Sequence, residues 1–257
     1  MIFTWLKRRR RDKLRSRPIP AAWLDYLDRI AAYRLLSSAE RHKLQQDVQV
    51  FVAEKNWEGC GGQVIDAEIK VTIAGYACLM VLELDVDAFD RVLSILVYPT
   101  AYAAPYRDQL TGQIVPGEDH RLGEAWYRGP VVLSWADIQN DREHPGQGRN
   151  LVWHEFAHQL DMLDRESDGT PPLETREQYR RWADIMTSEF ERLRADSRAG
   201  TPTLLDGYGS QNETEFFSIA TECFFERPTD MAKRHPDLYA LLCEYYRQDP
   251  AQRARQR

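Results

Sequence analysis

Apolar residues recur along most of the chain at the three- and four-residue spacing of a helix. The first stripes follow Pro20 and Ser37. The Ser-x-x-Glu pattern from Ser37 to Glu40 is a capping box, which marks where the second helix begins. We therefore predict a helical hairpin over residues 20–56. Further stripes predict helices over residues 66–84, 150–163, 174–196, 213–226 and 236–245.

Two short segments rich in β-branched residues lie between the helical stripes. Residues 92–98 end before Pro99 and residues 129–135 open with a Gly-Pro break, so each segment predicts a strand. The second strand is a candidate for pairing with extended substrate backbone; a plain core strand is the alternative. The remaining stretches predict a flexible turn at 57–62, an excursion with one or two short strands at 99–125, and a polar loop at 137–148.

The whole pattern predicts an α+β fold that is predominantly helical, with a small β-sheet. We expect a single domain over residues 20–250, preceded by a leader at 1–19 and followed by a tail at 251–257. The leader is basic, because residues 7–17 hold eight Lys or Arg against one Asp, while the whole chain has a net charge of −6. We expect it to be disordered and solvated, and contact with anionic lipid or nucleic acid is the alternative.

Composition narrows the class of protein. With 43% hydrophobic and 29% charged residues in 257 positions, the chain is typical of a globular protein with one sizeable core. No apolar run approaches the roughly 20 residues of a membrane-spanning helix, and no basic-aromatic surface pattern favours nucleic acid. We expect neither membrane insertion nor nucleic-acid binding. The four cysteines form no Cys-x-x-Cys pair, so we predict free thiols in a reducing cytoplasm.

The helical stripe that begins near Asn150 contains a His-Glu-x-x-His motif at His154, Glu155 and His158. A helix turns about 100° per residue, so histidines four apart lie roughly 40° apart around the axis and about 6 Å apart along it. Both imidazoles can reach one zinc ion, and Glu155 lies at the edge of the same site. There it can act as general base on zinc-activated water. Two solvent-facing histidines on an ordinary helix are the alternative.

A catalytic zinc site usually has three protein ligands, so a further ligand is needed. Asp161 follows His158 by three residues, but it lies roughly 7 to 8 Å beyond the metal along the helix axis, which suits a supporting or capping role. Glu215 and Glu222 are seven apart and share one stripe of the helix over residues 213–226. Glu215 is favoured as the ligand because it lies at the helix start, whereas Glu222 could orient a ligand.

Tyr208 lies in the loop before this helix, seven residues ahead of Glu215. A tyrosine hydroxyl beside a zinc site can donate a hydrogen bond to the oxyanion that forms during peptide hydrolysis. Packing within the loop is the alternative. The other carboxylates of the helix, those of Glu213 and Glu226, are predicted to lie at the surface.

Several blocks of sequence occur in a particular order along the chain. They are residues 51–55, 72–79, 129–135, 150–162 and 246–250, together with Tyr208, Glu215 and Phe225. In this order they closely resemble the Mlc titration factor A family of zinc metallopeptidases. The resemblance covers residues 20–250 and leaves out the basic leader.

The resemblance implies a cytoplasmic zinc metallopeptidase of the zincin type, with an active site related to that of the anthrax lethal factor catalytic domain. Matched residue by residue, it implies one Zn²⁺ per chain held by His154, His158 and Glu215. Glu155 matches the general base and Tyr208 a catalytic tyrosine. The family is associated with aminopeptidase-type activity, and its enterobacterial members bind the glucose repressor Mlc. Peptides are therefore the expected substrates, and an Mlc-like transcriptional repressor is a candidate partner.

Two functional hypotheses follow from the sequence. The first is a zinc-dependent, aminopeptidase-like enzyme that hydrolyses peptide bonds with Glu155 as general base and that is linked to regulation of sugar uptake through a repressor. The alternative is a regulatory binding protein that sequesters a transcription factor, with peptidase activity secondary. Glu155 distinguishes the two, because a structural zinc site has no need of a base beside an open coordination position.

Overall fold

The computed structural model describes residues 2–100, 106–107, 114–115 and 130–255, and most of these residues are helical. The N-terminal helices are α1 (Ile2–Arg15), α2 (Ala21–Asp28), α3 (Ala31–Arg34), α4 (Ser38–Glu54) and α5 (Ala67–Met80). The later helices are α6 (Trp135–Glu143), α7 (Leu151–Asp161), α8 (Arg176–Arg198), α9 (Glu213–Glu226), α10 (Pro228–Arg234), α11 (Pro236–Tyr246) and α12 (Pro250–Arg255). None of the described helices is both long enough and apolar enough to span a lipid bilayer.

Short strands complete the α+β architecture. They are β1 (Asn56–Gly59), β2 (Ser94–Tyr98), β3 (Tyr106–Arg107), β4 (Ile114–Val115) and β5 (Val131–Ser134). A parallel sheet has the order β1-β2-β5, with Leu96 opposite Val132, and β3 pairs with β4 in antiparallel fashion. The predominantly helical fold with a small sheet agrees with the prediction, as do the strands at 92–98 and 129–135. Most of the predicted excursion at 99–125 lies outside the described residues.

Strand β1 corrects the flexible turn predicted at 57–62. Trp57 is its only large apolar residue, so the segment lacks the alternation by which a strand is recognised. Parallel pairing with β2 orders it instead. At the end of β1, the backbone of Gly59 lies close to that of Gln63. A Cβ on Gly59 would lie 1.8 Å from the carbonyl oxygen of Gln63, so this position requires glycine.

The predicted N-terminal hairpin contains three helices rather than two. The capping box at Ser37 and Glu40 is present, since each residue's side chain accepts from the other's backbone N–H. The helix predicted before it is divided into α2 and α3 by Ile30, which has extended backbone geometry. Leu27 and Ile30 are fully buried beside Gly75 of α5, where a Cβ would lie 2.7 Å from the Ile30 side chain. This close packing in the core explains the interruption.

Helix α1 corrects the disordered leader predicted over residues 1–19. Arg11 is only 5% exposed and forms ion pairs with Glu54 at the end of α4 and with Asp87 and Asp90 after α5. These carboxylates are distant in sequence, so the basic run alone resembles a solvated segment. The leader is therefore part of the folded structure from residue 2 to residue 15.

Two other predictions are corrected. The polar loop predicted at 137–148 contains most of α6, whose first turn is capped by the Ser134 side chain. Only Ile138 of α6 is buried, so the helix has no apolar stripe by which the sequence would reveal it. The tail predicted at 251–257 is helical as far as Arg255, and Ala251 within it is buried.

Helix α7 packs into the core through one aromatic face. The Phe156 ring lies 5.8 Å from that of Phe51 on α4 and 4.8 Å from that of Phe89. The Trp153 ring lies 5.2 Å from that of Tyr76 on α5, and its indole N–H donates to the Tyr76 carbonyl at 2.9 Å. These contacts fix the rotation of α7 and hold its polar face towards a cleft.

Candidate metal centre

The two histidines of the motif lie on the polar face of α7. The helix begins after Asn150, whose side-chain oxygen accepts from the backbone N–H of Trp153 at 3.1 Å. One helical turn further on, the Nε2 atoms of His154 and His158 lie 3.2 Å apart. His158 is buried and His154 is partly exposed. The helix therefore presents two imidazole nitrogens to one point in space.

Glu215 of α9 reaches the same point from the opposite side. Its carboxylate oxygen Oε2 lies 3.1 Å from His154 Nε2 and 3.7 Å from His158 Nε2. Helix α9 begins after Asn212, whose side chain accepts from the backbone N–H of Glu215 at 2.9 Å. The apolar stripe that docks α9 in the core is fully or almost fully buried and consists of Phe216, Phe217, Ala220, Cys223 and Phe224.

These three side chains fit a zinc ion. Their ligand atoms all lie within 4.8 Å of one another. A tetrahedral zinc with bonds of about 2.0–2.1 Å separates its ligand atoms by about 3.3 Å, close to the distances found here. Two imidazoles and one carboxylate are also a donor set that catalytic zinc sites use. The cluster of His154, His158 and Glu215 could therefore hold Zn²⁺.

The far nitrogens of both histidines have partners on α9. His154 Nδ1 lies 2.7 Å from Glu222 Oε1, and His158 Nδ1 lies 3.1 Å from the buried hydroxyl of Ser218. The Glu222 contact fixes the ring of His154 and leaves its Nε2 available to a metal. The Ser218 hydroxyl lies between the two nitrogens of His158, because it is also 3.4 Å from His158 Nε2. The sequence left Glu222 open as a ligand or an orienting group, and its position behind His154 favours orientation. Ser218 gave no sequence signal, because it contacts a histidine 60 residues away.

Burial and neighbouring charges shift the pKa values of all three motif residues. Burial raises the pKa of Glu155 to about 7; His154 opposes this shift, and Glu215 and Glu222 add to it. Burial and then the neighbouring His154 lower the pKa of His158 to about 4. Burial would also lower the pKa of His154, but Glu215 and Glu222 overcome this effect and raise it. A carboxyl with a pKa near neutral pH can both accept and release a proton.

Tyr208 lies beside the metal centre. It belongs to a 3₁₀ turn, Gly207–Ser210, and Asp206 caps this turn by accepting from the Tyr208 backbone N–H at 2.9 Å. The Tyr208 ring centre lies 6.2 Å from that of His154. The side chain is half-buried and lines the same cleft as the motif residues. Tyr208 therefore lies beside the candidate metal ligands, as predicted, and its catalytic role stays a prediction.

A cleft of about 490 Å³ contains the metal centre. Its walls come from α6, α7, α9 and the loops before α7 and α9. Arg149 Nε and Asp206 Oδ2, on these two loops, lie 4.0 Å apart. The polar residues that line it are Asp137, Asn140, Asp141, His144, Gln147, Arg149, Asn150, His154, Glu155, His158, Asp206, Tyr208, Glu215 and Glu222.

Three carboxylates hold the loop between α6 and α7. The backbone N–H groups of Gly146, Asn150 and Leu151 donate to Glu226, Glu222 and Asp141, respectively, at 2.5, 2.5 and 2.8 Å. Burial is the main cause that raises the pKa of Asp141 to about 6 and that of Glu226 to about 7. The surface position predicted for Glu226 is therefore wrong, because it is half-buried against this loop. Glu213 is exposed, as predicted.

Asp161 lies apart from the metal centre, as the helix geometry predicts. It is fully buried at the end of α7, where Oδ2 accepts from the backbone N–H of Gly169 at 3.1 Å. The Trp182 indole donates to the Gly169 carbonyl at 3.0 Å. Asp161 thus fixes the loop that follows α7, consistent with a supporting role.

The comparisons with known proteins agree over nearly the whole chain. A model of the glucose-regulated metallo-peptidase M90 family matches residues 4–247. An uncharacterized protein of Synechocystis sp., slr2042, is 39% identical over 244 residues, covering 94% of this chain and 89% of that protein. Mlc titration factor A of Klebsiella pneumoniae is 31% identical over 226 residues, covering 86% of this chain and 84% of that protein.

Mlc titration factor A of Salmonella gallinarum is 29% identical over 225 residues, covering 86% of this chain and 83% of that protein. The family model begins at residue 4 and therefore includes α1, so the resemblance extends beyond the predicted range of 20–250 at its N-terminal end. The match extends from the basic helix α1 to the end of α11. The chain therefore belongs to the glucose-regulated metallo-peptidase M90 family.

Proposed function

We propose that this protein is a cytoplasmic zinc-dependent peptidase with aminopeptidase-like activity. The observation that carries the proposal is the convergence of His154, His158 and Glu215 at ligand-to-ligand distances that suit one zinc ion, inside a cleft lined by Glu155. Membership of a metallopeptidase family supports the same reaction. Four free cysteines are consistent with a reducing compartment.

Each polar side chain of the cleft has a separate role in the proposed hydrolysis of a peptide bond. When bound, zinc supplies a Lewis acid that polarises the scissile carbonyl and lowers the pKa of water. Glu155 accepts the proton of the attacking water and delivers it to the nitrogen of the leaving amine. The hydroxyl of Tyr208 donates a hydrogen bond to the carbonyl oxygen as negative charge develops there. Glu222 and Ser218 keep both imidazoles in the orientation that this chemistry needs.

The acidic lining of the cleft supports an exopeptidase that acts at the amino end of its substrate. Asp137, Asp141 and Asp206 all face the cleft that holds the metal centre. The α-amino group of a peptide is cationic at neutral pH, with a pKa of about 7.7–8.0. A cleft with several carboxylates therefore favours that end of a peptide over its anionic carboxyl end.

Replacement of Glu155 by glutamine tests the peptidase proposal. The amide keeps the size of the side chain but cannot accept the proton, so we expect hydrolysis of an unblocked peptide to slow by about 10²- to 10⁴-fold. Zinc content, measured on the same samples, should stay equal to that of the wild type. Glu213→Gln is the matched control, because Glu213 is an exposed glutamate on α9. Equal rates for wild type and Glu155→Gln would rule out the general-base role.

A second function is favoured by the names of the relatives. Two proteins that share 29–31% of their residues with this chain over most of its length are Mlc titration factors. We propose as an alternative that this chain binds an Mlc-like transcriptional repressor and thereby sequesters it. Calorimetric titration of a purified Mlc repressor into wild type and Glu155→Gln should then give equal affinities. Heat of binding that is absent for both proteins would contradict this alternative and leave the peptidase proposal standing.

A further inference from the structure

Helix α1 has an outward face on which apolar and cationic side chains adjoin. Trp5 is 56% exposed and Leu6 is 49% exposed, so two large apolar side chains lie next to each other at the surface. Arg8 and Arg9 are exposed as well. Because Trp5, Arg8 and Arg9 are spaced i, i+3 and i+4, they share one side of the helix. The Arg9 guanidinium lies 5.4 Å from the centre of the Trp5 ring.

The inward face of α1 fixes the helix to the body of the protein through ion pairs. Arg11 pairs with Glu54 and Asp90, each at 2.6 Å, and Lys7 also pairs with Asp90. Arg15 of the last turn pairs with Asp47 of α4 at 2.9 Å. The inward cations are therefore neutralised, and the helix is held with its other face towards solvent.

The outward cations are not neutralised in this way. In the described part of the chain, no carboxylate forms an ion pair with Arg8, Arg9 or Lys13. Asp12 is the only acidic residue of α1. The outward face thus carries excess positive charge next to two exposed apolar side chains, although the chain as a whole has a net charge of −6.

We propose that the outward face of α1, formed by Trp5, Leu6, Arg8, Arg9 and Lys13, binds the surface of an anionic phospholipid membrane. Indole and aliphatic side chains favour the boundary between headgroups and acyl chains. Guanidinium and ammonium groups are attracted to lipid phosphates, by about a fivefold gain in affinity for each cation near the surface. The helix lies on the membrane in this arrangement and does not cross it.

The apolar residues favour lipid over nucleic acid as the partner. Binding of a nucleic-acid strand relies on several phosphate contacts along a basic groove, whereas these cations occupy one helix of an otherwise acidic protein. Leu6 is aliphatic and has no ring to stack on a base, but it gains free energy by entering the lipid boundary. A bilayer therefore accounts for both kinds of side chain on this face.

Sedimentation with lipid vesicles tests the proposal on the full-length, zinc-loaded protein. Wild type should bind vesicles of mixed phosphatidylcholine and phosphatidylglycerol and should not bind vesicles of phosphatidylcholine alone. Arg8→Gln/Arg9→Gln should bind the mixed vesicles about thirtyfold more weakly, from the loss of two surface cations. Trp5→Ala should bind about tenfold more weakly, because half-exposed indole surface no longer enters the boundary.

A matched control distinguishes the effect of the outward face of α1 on vesicle binding from the effect of the total charge of the protein. Arg176 and Arg180 are exposed arginines on α8, so Arg176→Gln/Arg180→Gln removes the same charge elsewhere and should bind like wild type. Equal melting temperatures verify that each variant is folded. Equal vesicle binding by wild type and Arg8→Gln/Arg9→Gln overturns the proposal, as does no binding by wild type. Duplex DNA is added as a competitor to the vesicle-bound protein. If DNA displaces the protein at a phosphate concentration below that of the lipid, nucleic acid is the better partner and the proposal is overturned.

Discussion

The two histidines of the metal centre contact partners of different charge on α9. His154 Nδ1 faces the carboxylate of Glu222 at 2.7 Å, whereas His158 Nδ1 faces the hydroxyl of Ser218 at 3.1 Å. A carboxylate partner both orients an imidazole and makes it more basic. A hydroxyl partner orients it without adding charge. We therefore expect the contact with Glu222 to contribute more to metal affinity than the contact with Ser218.

Replacement of Glu222 by glutamine is expected to weaken zinc binding by about 10- to 100-fold. The amide oxygen can still accept from His154 Nδ1, but the negative charge that raises imidazole basicity is lost. Competition between the protein and a zinc chelator measures this change directly. Glu226→Gln is the control, because Glu226 accepts from the backbone of Gly146 rather than from a histidine. Equal zinc affinity of Glu222→Gln and wild type would show that the carboxylate does not support the site.

At the residue scale, local geometry alone predicted much of the candidate site. Helical spacing placed His154 and His158 on one face and excluded Asp161, and an apolar stripe indicated that Glu215 points inwards. These three candidate ligands do meet within 4.8 Å. Spacing could not separate the roles of Glu215 and Glu222, because both lie on the same stripe of α9. Only the packing of α7 against α9 places one in front of His154 and the other behind it.

At the scale of elements, the loop after α7 packs closely against the first residue of α9. Gly169 of this loop has φ +77°, and a Cβ on it would lie 2.4 Å from the carbonyl oxygen of Glu213, the first residue of α9. Asp161 holds the same glycine from α7 through its backbone N–H. The end of the motif helix and the start of the helix that carries Glu215 are thus coupled through one close backbone approach.

Gly169→Ala is expected to destabilise the protein by about 2–4 kcal/mol. A positive φ costs alanine about 1–2 kcal/mol, and the overlap with the Glu213 backbone adds about 1–2 kcal/mol. Gly200→Ala is the control, because Gly200 has φ +66° but no atom within 4 Å of an added Cβ. It should lose only the first contribution. Urea unfolding of the zinc-free proteins measures both losses, and an equal loss for the two variants would exclude the proposed contact.

Elements with a continuous apolar stripe were predictable, and elements stabilised by partners elsewhere were not. The stripes predicted α9 over residues 213–226, and the strand pattern predicted β5. In contrast, α6 buries only Ile138, and β1 has one large apolar residue and depends on pairing with β2. Their stability comes from contacts between residues far apart in sequence, which a local pattern does not record.

At the scale of the whole molecule, ion pairs integrate the basic N-terminus with an acidic surface. Arg11 is the centre of this arrangement, with Glu54, Asp87 and Asp90 around it. Burial opposes the charged form of Arg11, but its bonds to Glu54 and Asp90 outweigh burial and raise its pKa. The same sequence run that resembles a solvated tail therefore docks as a helix, because the compensating charges are supplied by α4 and by the segment after α5.

Replacement of Arg11 by methionine should make α1 open more often without unfolding the rest of the chain. The loss removes the cation that pairs with Glu54, and it leaves Lys7 as the remaining cationic partner of Asp90. Because Asp87 and Asp90 are 56% and 35% exposed, we expect a cost of about 1–3 kcal/mol rather than that of a fully buried pair. Opening of α1 exposes its arginines, so cleavage by trypsin within this helix should become about tenfold faster or more.

Arg8→Met is the control for this experiment, since it removes an exposed cation of the same helix that forms no ion pair with the described residues. It should leave the rate of cleavage after the neighbouring arginines close to that of wild type. Added salt should narrow the difference between wild type and Arg11→Met, because screening weakens the partly exposed ion pairs in wild type. If trypsin cut α1 at the same rate in Arg11→Met and wild type at low salt, the ion pairs of Arg11 would not hold the helix. Apolar contacts such as that of Leu14 with the core would then be its main attachment.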